Sequence, residues 1–292
     1  MHHGLKALPQ ISSELKEAHF WNNGNQARTS WPTLGGYMRL FQRKSYVTSQ
    51  TLFEDSTPRY MYSTITDVKS HYGPSIAQNM AKILPKTTKY IVMLRDPVSR
   101  LQSDFAFFYK GPEGETNTTQ VFHELLKAAM VNYKHCTASG LLYTNGYLTK
   151  QCTVLNATIT AAQEAACHSF KHQGACRAWL VQPETRLAIG TYSVFIKHWL
   201  QFHARDQFLF LRLEDFSAAP AQTLVNTIVP FLGIKPSALE IKALHNIRHK
   251  NRAKTTFEML PETRQMLETF YQPYNKELSE LLQDSKYLWL KP

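Results

Sequence analysis

Long apolar runs are missing from this 292-residue chain. Stretches such as Tyr90 to Leu94 and Phe208 to Leu211 fall far short of the ~20 residues that a membrane-crossing helix needs. No charged-then-apolar leader is present either, so the sequence reads as soluble. No C-x-x-C pair occurs, which removes the common zinc frameworks, and nothing calls for a metal. There is no Walker-type glycine-lysine loop with an acidic Mg²⁺ ligand, which argues against a P-loop kinase or another nucleotide phosphotransferase. Repeats, low-complexity tracts and nucleic-acid module signatures are absent too.

Acidic residues are also scarce, 22 against 33 lysines and arginines, giving a formal charge of +11. Such an excess suits a polyanion: nucleic acid, an acidic membrane surface, or a sulfated or carboxylated polysaccharide. Charge alone does not choose among them, nor against a solvated basic surface with no partner. The length and a hydrophobic content of 43% allow one large core, so a single domain over residues 1–292 is expected. Cys136, Cys152, Cys167 and Cys176 all fall in one stretch, near the acceptor sequons at Asn117 and Asn156. Disulfides in a secretory lumen fit this clustering better than buried thiols in a cytosolic protein.

Patterning places the elements. Tyr46 to Leu52 reads as a short strand, and Pro74 to Leu84 as a helix with proline in its first turn. Lys89 to Arg95 is an apolar run bounded by cations, the pattern of a parallel strand buried on both faces. Asp96 suits a helix N-cap and Pro97 the first helical position, with Leu101, Phe105 and Phe108 as the apolar stripe. A helix over Gln120 to Tyr133 precedes residues 134–185, which lack clear periodicity and read as an inserted cysteine-containing lobe. An amphipathic helix over Gly190 to His203, a second buried strand over Gln207 to Arg212 and a helix near Pro220 to Leu232 follow. A basic loop, His245 to Lys254, leads to a last helix from Pro261 through Leu282 with a break or kink at Pro273. Alternating strands and helices predict an α/β fold with a mostly parallel central sheet flanked by helices.

The turn from Lys89–Arg95 into the next helix is the first candidate site. Free N–H groups and the positive end of a helix attract anions. Arg95 at the strand end and Ser103 within the helix complete a cradle for a phosphate dianion, and Arg100 lies three residues before Ser103 on the same face. The competing reading makes Arg95 a local cap, Arg100 a solvated residue and Ser103 a tolerated one.

The order Arg95-Asp96-Pro97, Arg100, Ser103-Asp104-Phe105 resembles the 3′-phosphate-binding motif of the carbohydrate and heparan sulfate sulfotransferases. Glu17-Ala18-His19-Phe20-Trp21 is similar to that family's Glu-x-His-Phe-Phe segment. Glu54-Asp55-Ser56-Thr57-Pro58-Arg59-Tyr60 is similar to its Glu-Lys-Thr-Pro-x-Tyr stretch, with Asp55 or Ser56 where a lysine often occurs. Gly190-Thr191-Tyr192, Trp199-Leu200 and Leu211 to Asp215 look like its core helix and strand. His249-Lys250-Asn251-Arg252 resembles its Lys-Gly-Arg loop, with Asn251 in place of glycine. The terminal Met259 to Arg264 run and the Tyr287-Leu288-Trp289 ending are most similar to the N-acetylgalactosamine 4-sulfate 6-O-sulfotransferase branch.

The resemblance implies a P-loop-like sulfotransferase fold that moves a sulfuryl group from 3′-phosphoadenosine-5′-phosphosulfate to a hydroxyl of a glycosaminoglycan such as chondroitin or dermatan. Glu17 would be the catalytic base and His19 would line the same site. Arg95 and Ser103 would hold the 3′-phosphate, and Arg100, Lys250, Asn251 and Arg252 would be further donor contacts. The implied location is the Golgi lumen or the secreted space, with membrane attachment only through an anchor outside this sequence. The family's first strand and its lysine-containing phosphosulfate loop find no counterpart, so an N-terminally truncated domain of weak or no activity on its own is expected. The alternative from another class is a non-catalytic glycosaminoglycan-binding protein that keeps the basic cleft without transfer chemistry.

Overall fold

The computed structural model describes residues 5, 8–12, 17–18, 20–23, 33–39, 51–62, 75–113, 117–140, 143–144, 147–148, 160–245 and 257–290. The chain divides into two compact units, residues 1–94 with 199–251, and residues 95–198 with 252–292. Among the described residues no helix is long and apolar enough to cross a membrane.

The first unit is built on parallel strand pairs. Strand β1 (Ile11–Ser12) pairs with β2 (Leu52–Phe53), and β3 (Tyr90–Leu94) pairs with β4 (Phe208–Arg212) over five residues, from Tyr90 opposite Phe208 to Leu94 opposite Arg212. The α/β class expected from the sequence is the class observed. Val92 and Leu94 are buried on one face of β3, while Ile91 and Met93 on the other are partly buried, so the run is apolar throughout. Ile91, Met93, Leu209 and Leu211 pack on a core containing Leu8, Ile11, Phe216, Leu224, Ile228 and Leu244. Tyr90 stacks on Phe208 with ring centroids 4.9 Å apart and meets the edge of Trp199 at 5.5 Å.

Two helices of this unit are used below, α1 (Phe20–Asn23) and α2 (Ile76–Ile83). Pro74, expected to open α2, lies outside the described residues; the cap is Ser75, whose hydroxyl accepts from the Gln78 amide at 3.1 Å. The predicted strand at 46–52 is described only at its end, where Leu52 enters β2. The helix expected near Pro220 to Leu232 is present, with a π turn over Leu224–Ile228.

The second unit is mainly helical, with an antiparallel strand pair, Tyr143–Thr144 against Tyr147–Leu148. Helix α3 (Pro97–Phe108) starts as predicted: Asp96 caps it and Pro97 occupies its first turn. Leu101 and Phe105 are fully buried. Phe105 is the hub of an aromatic core, 4.4 Å from Tyr109, 4.8 Å from Phe122 and 5.0 Å from Trp179 between centroids. Helix α4 (Thr118–Ala138) is capped by the side chain of Asn117 and buries Phe122, Leu126, Ala129 and Tyr133.

The stretch 134–185 contains more regular structure than its sequence shows. Helices α5 (Ala161–His168), α6 (Gln173–Val181) and α7 (Pro183–Ala188) follow one another with short turns. Helices of six to nine residues present too few turns for an apolar period to register. A Thr160–Gln163 capping box starts α5, and a Cys167–Cys176 disulfide ties it to α6. Cys136 is disulfide-bonded as well.

Helix α8 (Tyr192–Trp199) begins two residues later than the Gly190 start that its pattern suggested. Gly190 sits in the preceding turn, where a Cβ would lie 2.6 Å from the ring of Tyr271. Helix α9 (Pro261–Leu282) runs unbroken through Pro273, which corrects the predicted break. A proline inside a helix costs about 3 kcal/mol. Here Leu267, Tyr271, Leu278 and Leu282 are buried along one face, and each such side chain contributes about 1.5–3 kcal/mol, so packing outweighs the lost backbone bond.

Candidate functional site

Segments leaving the carboxyl ends of parallel strands are where open α/β sheets place their chemistry. In the first unit, the segment after β1 carries Glu17, which is half-buried, next to buried Ala18 and Trp21. Phe20 stacks on Tyr37 at 4.4 Å, with Trp21 edge-on to both, so α1 is fixed by an aromatic cluster. His19 lies outside the described residues.

The segment after β2 is organised by Asp55. One carboxylate oxygen accepts from the amide of Thr57 at 3.1 Å and from its hydroxyl at 2.6 Å. The other accepts from the phenols of Tyr37 at 2.9 Å and Tyr60 at 2.6 Å. Burial, reinforced by the adjacent carboxylate, pushes both phenols far above the ordinary tyrosine range, so both remain donors at physiological pH. Asp55 thereby joins the aromatic cluster to the Glu54–Tyr60 segment. The signal available in the sequence was Asp-x-Thr, an Asx-turn pattern.

In the second unit, Arg95 comes directly before the cap of α3. The helix-terminal amides expected to cradle an anion are already used. Pro97 has no N–H, the Asp96 carboxylate accepts from Val98 at 3.3 Å and Ser99 at 3.1 Å, and the Arg100 amide bonds to the Asp96 carbonyl at 2.8 Å. The capping carboxylate also places negative charge at that helix end. An anion bound here rests on side chains rather than on backbone amides, which corrects the cradle drawn from the sequence.

Three nominated side chains on this element separate into two groups. The Arg100 guanidinium pairs with Asp104 at 3.4 Å and donates to the Arg186 carbonyl at 2.7 Å. Asp104 also holds Arg186 at 3.6 Å and accepts from the Trp179 indole at 2.9 Å, and all three charged side chains are 14–16% exposed. Arg100 is thus committed to the internal frame of its unit. Arg95 and Ser103 are partly exposed, and neither side chain hydrogen-bonds to another described residue. Only the Arg95 backbone is tied, its carbonyl accepting from the Tyr192 hydroxyl at 3.0 Å. Lys250, Asn251 and Arg252 lie outside the described residues. Asp104 and Tyr192 stand inside family motifs, and nothing in the sequence signals the bonds they make to Trp179 and to the Arg95 carbonyl.

The family model described as "Sulfotransferase domain" matches residues 11–269. Proteins named carbohydrate sulfotransferase 15 from Mus musculus and Homo sapiens are each 26% identical over 246 residues, covering 82% of this chain and 37% of theirs. The chain thus spans little more than a third of the length of these curated relatives. A solved sulfotransferase from Alicyclobacillus acidocaldarius matches with a TM-score of 0.52 at 21% identity, covering 98% of this chain and 92% of that one. At that identity the likeness speaks for the fold. The family match spans most of the sequence and takes in Glu17, Asp55, Arg95 and Ser103 alike: this chain belongs to the sulfotransferase domain family.

Proposed function

We propose that this chain carries residues by which a sulfuryl group passes from 3′-phosphoadenosine-5′-phosphosulfate to a hydroxyl of a glycosaminoglycan, with a sulfated N-acetylgalactosamine of chondroitin or dermatan as the acceptor. The observation that carries the reading is that Arg95 and Ser103, following β3 in a member of this family, keep a guanidinium and a hydroxyl free of other described residues. Arg100, close to both in sequence, has its guanidinium nitrogens Nη1 and Nη2 committed to Asp104 and to the Arg186 carbonyl. A guanidinium and a hydroxyl suit the 3′-phosphate of the donor.

Chemistry follows from an in-line displacement. The acceptor oxygen attacks sulfur, the bond from sulfur to the 5′-phosphate oxygen breaks, and 3′-phosphoadenosine-5′-phosphate leaves. Glu17 takes the hydroxyl proton as the new bond forms, and His19 orients the acceptor. Lys250, Asn251 and Arg252 would supply further donor contacts, as the resemblance implies. A net charge of +11 suits a polyanionic acceptor, and the disulfide-bonded cysteines suit an oxidising lumen such as the Golgi or the secreted space.

Calorimetric titration with 3′-phosphoadenosine-5′-phosphate tests the donor site, and transfer of labelled sulfate to chondroitin sulfate tests the reaction. Arg95→Ala should weaken nucleotide binding about 10- to 100-fold and Ser103→Ala about tenfold. Glu17→Gln should abolish transfer while leaving that binding intact. Wild-type affinity in Arg95→Ala would refute the donor site. Retention on a heparin column with no binding of the nucleotide would favour a non-catalytic polysaccharide-binding protein instead.

A further inference from the structure

The Arg95 carbonyl belongs neither to the β3 ladder, which ends at Leu94, nor to α3, which begins at Pro97. A carbonyl at such a junction needs a partner from elsewhere, and the Tyr192 hydroxyl supplies one at 3.0 Å. Tyr192 is itself held from three sides. Its ring, 9% exposed, lies against Trp289 with centroids 6.1 Å apart. The turn before it is closed by the Thr191 hydroxyl on the Ala188 carbonyl at 2.7 Å. Tyr271 donates to the Leu187 carbonyl at 2.7 Å and fills the space beside Gly190. Trp289 is tied in turn to Tyr287 at 5.6 Å in the closing segment of the chain.

The next residue is fixed as well, since the Asp96 side chain is spent on the helix amides. Backbone atoms on the carboxyl side of Arg95 are therefore pinned while the guanidinium itself stays free of described partners. This is the arrangement a preorganised ligand contact requires: a polar head left open on a stem that has already lost its backbone freedom.

We infer that Tyr192, backed by Trp289, is a positioning residue for donor binding, acting through the Arg95 carbonyl to aim the Arg95 guanidinium. The inference rests on the donor-site reading of Arg95 above. It assigns the carboxyl-terminal Tyr287–Trp289 segment a part in nucleotide affinity that nothing in its own sequence announces.

Tyr192→Phe keeps the ring and its packing and removes only the hydroxyl. The expected result is nucleotide binding weakened about five- to tenfold, a raised KM for the donor, an unchanged KM for the acceptor, and a melting temperature close to wild type. In an Arg95→Ala background the same substitution should have no further effect, because the group it aims is gone. Trp289→Leu, which leaves the hydroxyl but loosens its ring, should act in the same direction more weakly and serves if Tyr192→Phe folds poorly. Wild-type nucleotide affinity in Tyr192→Phe, or equal losses with and without Arg95, would overturn the positioning role while leaving the donor site standing. Full affinity in Arg95→Ala would overturn the donor site itself, and the positioning role with it.

Discussion

Glu184 offers the sharpest test of how this fold balances its buried charge. Its side chain is 0% exposed at the start of α7. One oxygen accepts from the Asn132 amide at 3.3 Å, and the other is buried without a hydrogen bond among the described residues. Burial pushes the carboxyl above its ordinary value of 4.5, and the opposing help from a backbone amide and Asn132 is too small to reverse it. The folded protein therefore binds this proton more tightly than the unfolded chain. Stability falls as pH rises from the ordinary value through the raised one and stays lower above it, where the folded state holds an under-solvated carboxylate. Glu184→Gln keeps the shape and the bond from Asn132 and removes the titration. At pH 8 it should stabilise the protein by about 1–3 kcal/mol, because the charge is removed from a position that stays without a second hydrogen bond, which is a rise of several degrees in melting temperature. At pH 4 the two proteins should melt nearly together. Thermal unfolding followed by circular dichroism across that range decides the matter, and a difference that does not change with pH would refute the reasoning.

Two further predictions concern the frame of the helical unit. Asp104→Asn leaves Arg100 and Arg186 facing each other's territory without the carboxylate that holds both, and should cost about 3–5 kcal/mol in chemical denaturation; a loss below 1 kcal/mol would mean that this cluster is solvated. Gly190→Ala puts a methyl group 2.6 Å from the ring of fully buried Tyr271, and the overpacking should cost about 1–3 kcal/mol. Calorimetric melting of the variant checks this, and a neutral effect would show that Tyr271 can shift while keeping its bond to Leu187.

Local chemistry made several features legible in the sequence. Tyr90 to Leu94 could be read as a parallel strand because it is an unbroken apolar run, and the observed parallel pairing with Phe208–Arg212 bears this out; of its residues only Val92 and Leu94 are buried. Asp96 and Pro97 marked the start of α3 because capping depends on adjacent residues alone. The same local logic failed where long-range packing decides. Pro273 should stop a helix, yet a buried stripe carries α9 through it. Short helices between 160 and 188 left no period, since each is held by its neighbours and a disulfide rather than by its own amphipathic pattern.

The site divides along the same line. Sequence by itself determined which residue types stand after β3 and that their order is that of a sulfotransferase, because a motif is written in consecutive residues. Tertiary structure alone decided which of them remain available: the Arg186 carbonyl, 86 positions away, engages Arg100, and Tyr192, 97 positions away, fixes the backbone of Arg95. Hydrogen-bond partners far apart in sequence carry no local signature, so the fate of each donor is settled only when the chain has folded.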